Sequence, residues 1–227
     1  MTAVFLRELS SYFISPVGYV YLAAFYLLAG YQFTVTLLGG SADLTSEFTF
    51  LYTVVLLLTP ILTMRLMSEE RKQKTDQILF SAPVTLTGIV AGKYFAAVAV
   101  YLMGVAVTLL HAAVLTPFAD VSWAIVIGNV VGLALLGMAA IALCMFISAQ
   151  TENQIIAAIG GFASILVVLS LNSIASVVSF APLKQLLTSI SFYSRYYDLT
   201  IGMINAADLF FFFSFAAVFF FLTTRVL

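Results

Sequence analysis

Six stretches of the chain contain no Asp, Glu, Lys or Arg and are long enough to cross a membrane. They cover residues 17–40, 48–64, 94–119, 121–151, 153–183 and 209–224. A helix that crosses the hydrocarbon core of a bilayer needs about 20 predominantly apolar residues. Only 8% of the residues are charged, against about 25% in a soluble domain, so this chain cannot cover a water-facing surface. The sequence therefore predicts an all-α integral membrane protein with six transmembrane helices, at about residues 17–38, 47–66, 92–116, 122–147, 154–178 and 206–225.

The chain lacks the residues that metal, redox and nucleotide sites require. It contains one cysteine and one histidine, so we expect no disulfide within the chain and no metal cluster. It also has no GxxxxGK[ST] phosphate-binding loop. We therefore predict that the chain binds no cofactor by itself. We also expect no nucleic-acid partner.

The basic residues are distributed unequally between the two sides of the membrane. Cytoplasmic loops carry an excess of Lys and Arg, and six crossings place both termini on the same side. If that side is the inside, seven of the nine basic residues are cytoplasmic: Arg7, Arg65, Arg71, Lys72, Lys74, Lys93 and Arg225. The outer segments instead hold acids such as Glu47, Asp120 and Asp208. The sequence therefore predicts that both termini are cytoplasmic.

Two segments outside the spans have an amphipathic pattern. In residues 1–14, Phe5 and Leu9 fall on one face of a helix, which predicts a helix lying in the membrane interface. Residues 179–205 are rich in tyrosine, which favours short helices at the outer interface. Both segments belong to a single transmembrane domain that we assign to residues 1–227.

The loop between the second and third spans concentrates the charge. Of the nine basic and ten acidic residues in the chain, eight lie between Met64 and Lys93. This loop predicts a short cytoplasmic helix over residues 68–80, with Ser68 as its N-cap and acidic residues in its first turn. The alternative is a solvated loop that only connects two spans. The apolar residues 78–80 favour a helix that docks into a groove on a partner.

Three blocks of residues resemble a known family of membrane proteins. The first block contains Arg7-Glu8, Ser11-Tyr12-Phe13, Ser15-Pro16 and Gly18-Tyr19. The second contains Met64-Arg65-Leu66, Glu69-Glu70, Thr75, Leu79, Pro83-Val84, Ile89-Val90 and Gly92-Lys93. The third contains Ser194-Arg195-Tyr196, Gly202 and Asp208-Leu209. In this order, and with six spans, they resemble the ABC type-2 permeases, and most of all the branch with the gliding-motility and nitrous-oxide-reductase-maturation permeases.

The resemblance implies a non-catalytic permease subunit of an export-class ABC transporter in the bacterial cytoplasmic (inner) membrane. Such a subunit pairs with a second copy or a sibling permease and recruits separate ATPase subunits, which bind ATP and Mg. It also implies a possible extracytoplasmic partner subunit. The helix at 68–80 would then be a coupling helix that lies in a groove of the ATPase and transmits its motion to the spans.

The residues that the resemblance assigns to ATPase coupling lie in this helix. They are Glu69, Glu70, Arg71, Lys72, Lys74, Thr75, Asp76 and Gln77. Two of them depart from the family pattern: Lys74 stands where the family usually has Gly, and Gln77 stands where it usually has Glu. These departures make the helix more basic and leave the individual contacts to the ATPase open.

Small and polar residues inside the spans have two interpretations each. Glycines at 128 and 132 in the fourth span, and at 160 and 161 in the fifth, let helices approach closely. Gly128, Gly132, Gly160 and Gly161 thus serve either packing within one subunit or a dimer contact. His111, which has no acidic residue in its own span, is interpreted as a hydrogen-bonded packing residue rather than a functional group.

Three functions are compatible with such a membrane protein. The first is a permease that couples ATP hydrolysis by other subunits to translocation or to mechanical work across the membrane. The second is a secondary carrier or small channel without an ATPase partner. The third is a membrane anchor that transports nothing. A chain without a nucleotide site but with one charged docking helix favours the first, and the substrate is not encoded in any motif.

Overall fold

The chain folds into a bundle of α-helices. The computed structural model describes residues 2–40, 43–73, 85–118, 120–178, 180–200 and 205–227, and the description that follows is limited to these ranges. Within them the chain forms helices and no strand. The helices are α1 (Thr2–Ile14), α2 (Pro16–Leu38), α3 (Thr45–Thr63), α4 (Ser68–Gln73), α5 (Leu86–Leu115), α6 (Trp123–Ser148), α7 (Gln154–Val177), α8 (Ala181–Ile190), α9 (Phe192–Thr200) and α10 (Ala206–Val226).

Six helices in the described part of the chain are long and apolar enough to cross a membrane. They are α2, α3, α5, α6, α7 and α10. The prediction of an all-helical membrane protein with six spans is therefore confirmed. The boundaries differ most at α5, which begins at Leu86 rather than at residue 92 because the Thr85 side chain accepts a hydrogen bond from the Gly88 amide and caps the helix.

Helix α6 lies at the centre of the bundle. It packs against α3, α5, α7, α9 and α10, and its side chains Leu133, Leu136, Ala139 and Ala140 are completely buried. Burial of side chains all around a helix explains why its sequence is apolar on every face. The helix therefore forms the core against which four of the other five spans pack.

Three of the four glycines singled out in the sequence lie against other helices of the same chain. A Cβ atom on Gly132 would lie 3.0 Å from Leu199 of α9, one on Gly160 would lie 2.8 Å from Ile147 of α6, and one on Gly161 would lie 3.1 Å from Pro60 of α3. These three positions thus allow close helix approach within the subunit. These contacts agree with packing inside one chain, and a dimer role for the glycines stays a prediction.

The segment between α7 and α10 contains the two short helices α8 and α9. Helix α9 is inserted into the bundle, as the burial of Phe192, Tyr196 and Leu199 shows. The Tyr196 hydroxyl donates a hydrogen bond to the Phe48 carbonyl oxygen at 3.0 Å, and its ring stacks on Tyr52. Tyr196 is therefore a core residue, whereas the sequence had placed the tyrosines of this segment at the interface.

Candidate functional site

The charged residues of α1, α4 and α5 meet at one end of the helix bundle, here named the charged end. Its centre is Lys93, whose side chain is 2% exposed. The Lys93 Nζ donates a hydrogen bond to the Leu66 carbonyl oxygen at 2.8 Å. The same atom lies 3.0 Å from Glu70 Oε1 and 3.3 Å from Glu8 Oε1. A buried ammonium is tolerated only when such partners compensate its lost hydration.

A second cation completes the network at the charged end. Arg7 Nη2 lies 2.7 Å from Glu8 Oε1 and 2.7 Å from Glu70 Oε1. Partial burial lowers the pKa of Arg7, but its two carboxylate partners outweigh this effect and raise the pKa above its ordinary value. Two acids and two bases from three helices therefore form one ion-pair network. We name Arg7, Glu8, Glu70 and Lys93 the four-residue network.

The turn between α3 and α4 is held by polar contacts on both sides. Arg65 forms a two-pronged ion pair with Glu69, with distances of 2.7 and 2.8 Å. The Ser148 hydroxyl, at the end of α6, accepts hydrogen bonds from the Met67 and Ser68 amides, each at 3.3 Å. A third contact is an Arg71 guanidinium that donates to the Val226 carbonyl oxygen at 3.1 Å. These contacts connect α4 to α3, α6 and α10.

The N-cap assigned to Ser68 in the sequence is different in the structure. The Ser68 hydroxyl donates to the Met64 carbonyl oxygen, so it does not cap its own helix. The hydroxyl of Ser148 takes that place and accepts from the first amides of the turn. Because residue 148 is far away in the chain, no local sequence pattern signals this cap.

Helix α1 is fixed against the bundle near both of its ends. Near its beginning, a Cβ on Gly92 of α5 would lie 2.9 Å from Val4 Cγ1 and 3.1 Å from the Phe5 nitrogen. Near its end, the buried Tyr12 hydroxyl donates to the Leu62 carbonyl oxygen at 2.9 Å. The absence of a side chain at Gly92 therefore allows α1 to lie directly on α5.

Half of the predicted coupling residues lie in the described part of the chain. Glu69, Glu70, Arg71 and Lys72 lie in α4. The other four, Lys74, Thr75, Asp76 and Gln77, lie outside the described residues, as does the second half of the helix predicted over 68–80. Sequence reasoning treated Lys93 as the boundary residue of a span and did not identify its burial. Its one available signal was the presence of a lysine inside a helix that is otherwise apolar.

A buried polar pair lies at the opposite end of the bundle. Glu47 is in the first turns of α3, is 1% exposed, and places its Oε1 2.6 Å from His111 Nδ1 of α5. The His111 ring stacks on Phe33 with a centroid distance of 4.2 Å. The Glu47 Oε2 atom has no hydrogen-bond partner among the described residues. His111 was expected to be a hydrogen-bonded packing residue without an acidic partner in its own span, and the structure supplies the partner from a neighbouring span.

We predict that Glu47 and His111 stabilise the fold jointly. Glu47→Gln and His111→Phe should each lower the free energy of unfolding. The double variant should lose less unfolding free energy than the two single variants lose together, and the difference, the coupling energy, should be about 1 kcal/mol. The phenylalanine keeps the stacking on Phe33 and the glutamine keeps a neutral acceptor oxygen, so the cycle measures what the Glu47 carboxylate contributes to the contact with His111 beyond a neutral acceptor. Unfolding can be followed with a thiol-reactive dye, because Cys144 is the single cysteine and is buried. Additive effects of the two substitutions would contradict the prediction.

Another ion pair at this opposite end holds α9 to α10. Arg195 Nη1 lies 2.7 Å from Oδ1 of Asp208, which is completely buried, and the Arg195 guanidinium lies over the Phe211 ring. The two ends of the bundle therefore differ. The charged end has a network of four residues with α4 at its edge, and the opposite end has two separate buried pairs.

One known protein family matches most of the chain. A family model described as "ABC-2 family transporter protein" matches residues 10–223. No curated protein matches the chain significantly. The matched range begins within α1 and ends near the end of α10, so it contains all six spans and α4.

Proposed function

The chain belongs to the ABC-2 family of transporter membrane proteins, and from this premise we propose that its charged end is the docking site of a separate ATPase subunit. In this proposal the chain is the non-catalytic permease of an export-class transporter in the bacterial cytoplasmic membrane, with both termini inside. The ATPase binds ATP and Mg, and the permease converts closure of the ATPase into movement of its spans.

The observation that carries the proposal is the way in which α4 is attached. Glu70 contacts Arg7 of α1 and Lys93 of α5, and Glu69 contacts Arg65 after α3. A displacement of α4 would therefore be transmitted to three helices at once, because ion pairs with several partners resist separation. Transmission of a movement from the ATPase to the spans requires rigid elements that move together.

The surface available to the ATPase contains the exposed part of α4. Lys72 is exposed and Arg71 is partly exposed. Together with the predicted continuation of the helix through Asp76 and Gln77, these residues form the proposed contact. The predicted mixture of charged and apolar residues over 68–80 suits a helix in a groove of a soluble partner.

We further propose that two permease copies, or this chain and a sibling, meet through α2 and α7. In the most apolar part of α2, α7 and α10 alike, 22% of the residues are buried within the chain, against 67% for α6, so burial makes these three helices the candidates for such a contact. Large apolar side chains such as Leu27 and Ile159 are exposed on them. The faces not covered by this chain are available to lipid or to a second permease. Of these helices, α2 and α7 are chosen because the resemblance to type-2 permeases implies a contact through the first and fifth spans.

One observation supports the alternative function, that of a secondary carrier. The Glu47–His111 pair lies in membrane-spanning helices, where ionisable groups are rare and often functional. A carrier that uses this pair would work without any ATPase. Co-purification from the native membrane separates the two functions: the permease should retain an ATPase and stimulate its hydrolysis, and a carrier should retain none.

We predict that changing Thr75 and Asp76 together uncouples the ATPase. Thr75→Trp with Asp76→Lys should leave insertion and dimerisation intact but reduce coupled ATPase activity and transport at least tenfold, or by about 1.4 kcal/mol in transition-state free energy. The matched control is Asp198→Lys, a charge reversal at an exposed position on α9. Unchanged hydrolysis and transport in the double variant would show that this loop is only a connection.

A further inference from the structure

A groove of about 340 Å³ lies at the surface of the bundle, where α5, α6 and α10 meet. Helices α5 and α10 both pack against α6, and they contact each other less than either contacts α6, so a cleft stays open between them. Its floor contains the buried Tyr94 of α5 and the partly buried Met138 of α6, and its edges are the exposed Phe95 of α5 and Phe213 of α10. Neither the four-residue network nor the proposed ATPase contact includes any of these residues.

Two alanines in α10 make room for the groove. This helix is otherwise rich in phenylalanine, and Ala216 and Ala217 line the groove between Phe213 and Phe220. Residues three, four and seven positions apart lie on one face of a helix, so the groove follows the axis of α10 for about two turns, or roughly 10 Å. Because α10 is one of the spans, the groove runs in the direction of the lipid acyl chains rather than across them.

The floor of the groove is fixed by contacts within the chain. The Tyr94 hydroxyl donates to the Met138 carbonyl oxygen at 3.0 Å. The Tyr94 ring also meets the Phe220 ring edge to face, with 5.9 Å between the centroids, an arrangement that aromatic pairs prefer. Because these contacts hold Tyr94 in place, its ring does not turn to close the cleft. The groove is therefore preformed, as most ligand pockets are.

The lining of the groove is suited to hydrocarbon. Tyr94 carries the single hydroxyl among the described lining residues, and this hydroxyl is already used in the bond to Met138. A bound water needs two to four polar partners, which these residues do not offer, and an unfilled void would forfeit dispersion contacts along its walls. A neighbouring helix, about 10–12 Å wide, is too thick for a cleft of this volume and length. A linear hydrocarbon chain matches both its shape and its direction.

We propose that this groove binds one acyl chain of a phospholipid from the leaflet at the charged end of the bundle. Tyr94 directly follows Lys93 of the four-residue network. Helix α10 also ends there, since the Val226 carbonyl oxygen accepts the bond from Arg71. The groove therefore lies in the half of the membrane next to the charged end. The site goes beyond the proposed function, because it does not depend on ATPase docking.

The charge at the end of α10 suits the headgroup of such a lipid. Arg225 is exposed in the last turn of α10, about 8 Å along the helix axis from Phe220. Its guanidinium lies 5.0 Å from the centroid of the Phe221 ring. Guanidinium groups pair strongly with phosphate, so Arg225 supplies a positive charge for the phosphate of a lipid whose chain lies in the groove.

Binding of defined lipids to the full-length protein in detergent tests this site. The purified protein is titrated with dioleoylphosphatidylglycerol, and bound lipids are counted by native mass spectrometry. Dihexanoylphosphatidylglycerol has the same headgroup but short chains, so it measures binding through the headgroup alone. We expect one molecule of the long-chain lipid to bind about tenfold or more tightly than the short-chain lipid, because affinity rises with each buried methylene group.

A variant that fills the groove decides whether the chain lies there. Ala217→Phe should weaken binding of the long-chain lipid about tenfold, because the new ring occupies the space of the chain. The matched control is Ala106→Phe, at an exposed alanine of α5 outside the groove, which should leave binding unchanged. Phe213→Ala removes an exposed edge of the groove, so it should also weaken binding, and it serves where the larger side chain impairs folding. Folding of each variant is checked through the reactivity of Cys144.

Four outcomes would overturn the proposal. Equal binding of the long-chain lipid by the wild type and both groove variants would place the chain elsewhere. An equal loss in Ala217→Phe and Ala106→Phe would indicate general contact with lipid. Equal affinities for the long-chain and short-chain lipids would indicate binding through the headgroup. Conversion of a dimer to a monomer by Ala217→Phe, with lipid binding unchanged, would identify a second copy of the chain as the occupant.

Discussion

Replacing Lys93 with methionine is expected to destabilise the protein by about 3 kcal/mol and to abolish coupling to the ATPase. Methionine has a similar shape, but it removes the Lys93 ammonium group that lies between the carboxylates of Glu8 and Glu70. Removing one partner from a buried ion pair costs about 3–5 kcal/mol, and Arg7 keeps part of the compensation here. The loss of stability is measured by heating the protein and following the dye reactivity of Cys144. The loss of coupling is measured as ATPase stimulation.

Two further variants separate this explanation from a general effect of losing a lysine. Lys184→Met, on an exposed position of α8, should change the unfolding free energy by less than about 0.5 kcal/mol. Adding Glu70→Gln to Lys93→Met should recover part of the lost stability, because one of the two facing carboxylates is then neutral. Coupling should not recover in this double variant, since α4 is no longer held to α5. Wild-type stability of Lys93→Met would refute the role of the network.

Placing a single methyl group at Gly137 is expected to have an effect of similar size on the fold itself. A Cβ at this position of α6 would overlap the ring of Tyr101. Tyr101 is completely buried, and its hydroxyl donates to the Leu133 carbonyl oxygen, so the ring cannot move aside. Overpacking of a well-filled core costs about 1–3 kcal/mol, and we expect Gly137→Ala to lie near 3 kcal/mol. The measurements are the yield of monodisperse protein and its unfolding temperature.

The matched control for this prediction is another glycine inside a spanning helix. A Cβ at Gly30 of α2 would meet no described residue within 4 Å. Gly30→Ala should therefore be neutral or stabilising by up to about 1 kcal/mol, because alanine has the higher helix propensity. Combining Gly137→Ala with Tyr101→Leu should remove the overlap and restore part of the stability. Equal stability of Gly137→Ala and Gly30→Ala would show that the close packing of α5 on α6 is not critical.

The candidate site shows where sequence reasoning ends. The high charge of the loop after α3 identified the region, but no pattern in the sequence paired Arg7 and Glu8 of α1 with this loop. The link between them, Lys93, was assigned to a span boundary because charges usually lie there. In the structure it is buried, since Glu8, Glu70 and the Leu66 carbonyl oxygen surround it. Together with Lys93 itself, these partners come from three separate segments of the chain.

The sequence alone determined the class of the protein, the number of its spans and its family. These properties follow from composition and from local order, because a bilayer requires long apolar segments and the family motifs are short contiguous blocks. Only the tertiary structure decided which polar groups meet: Lys93 with two glutamates, Glu47 with His111, and Ser148 with the turn before α4. Spans that are apolar on every face carry no pattern that sets their rotation or their neighbours. Each pairing therefore depends on how the helices pack, and packing is decided by side-chain shape in three dimensions.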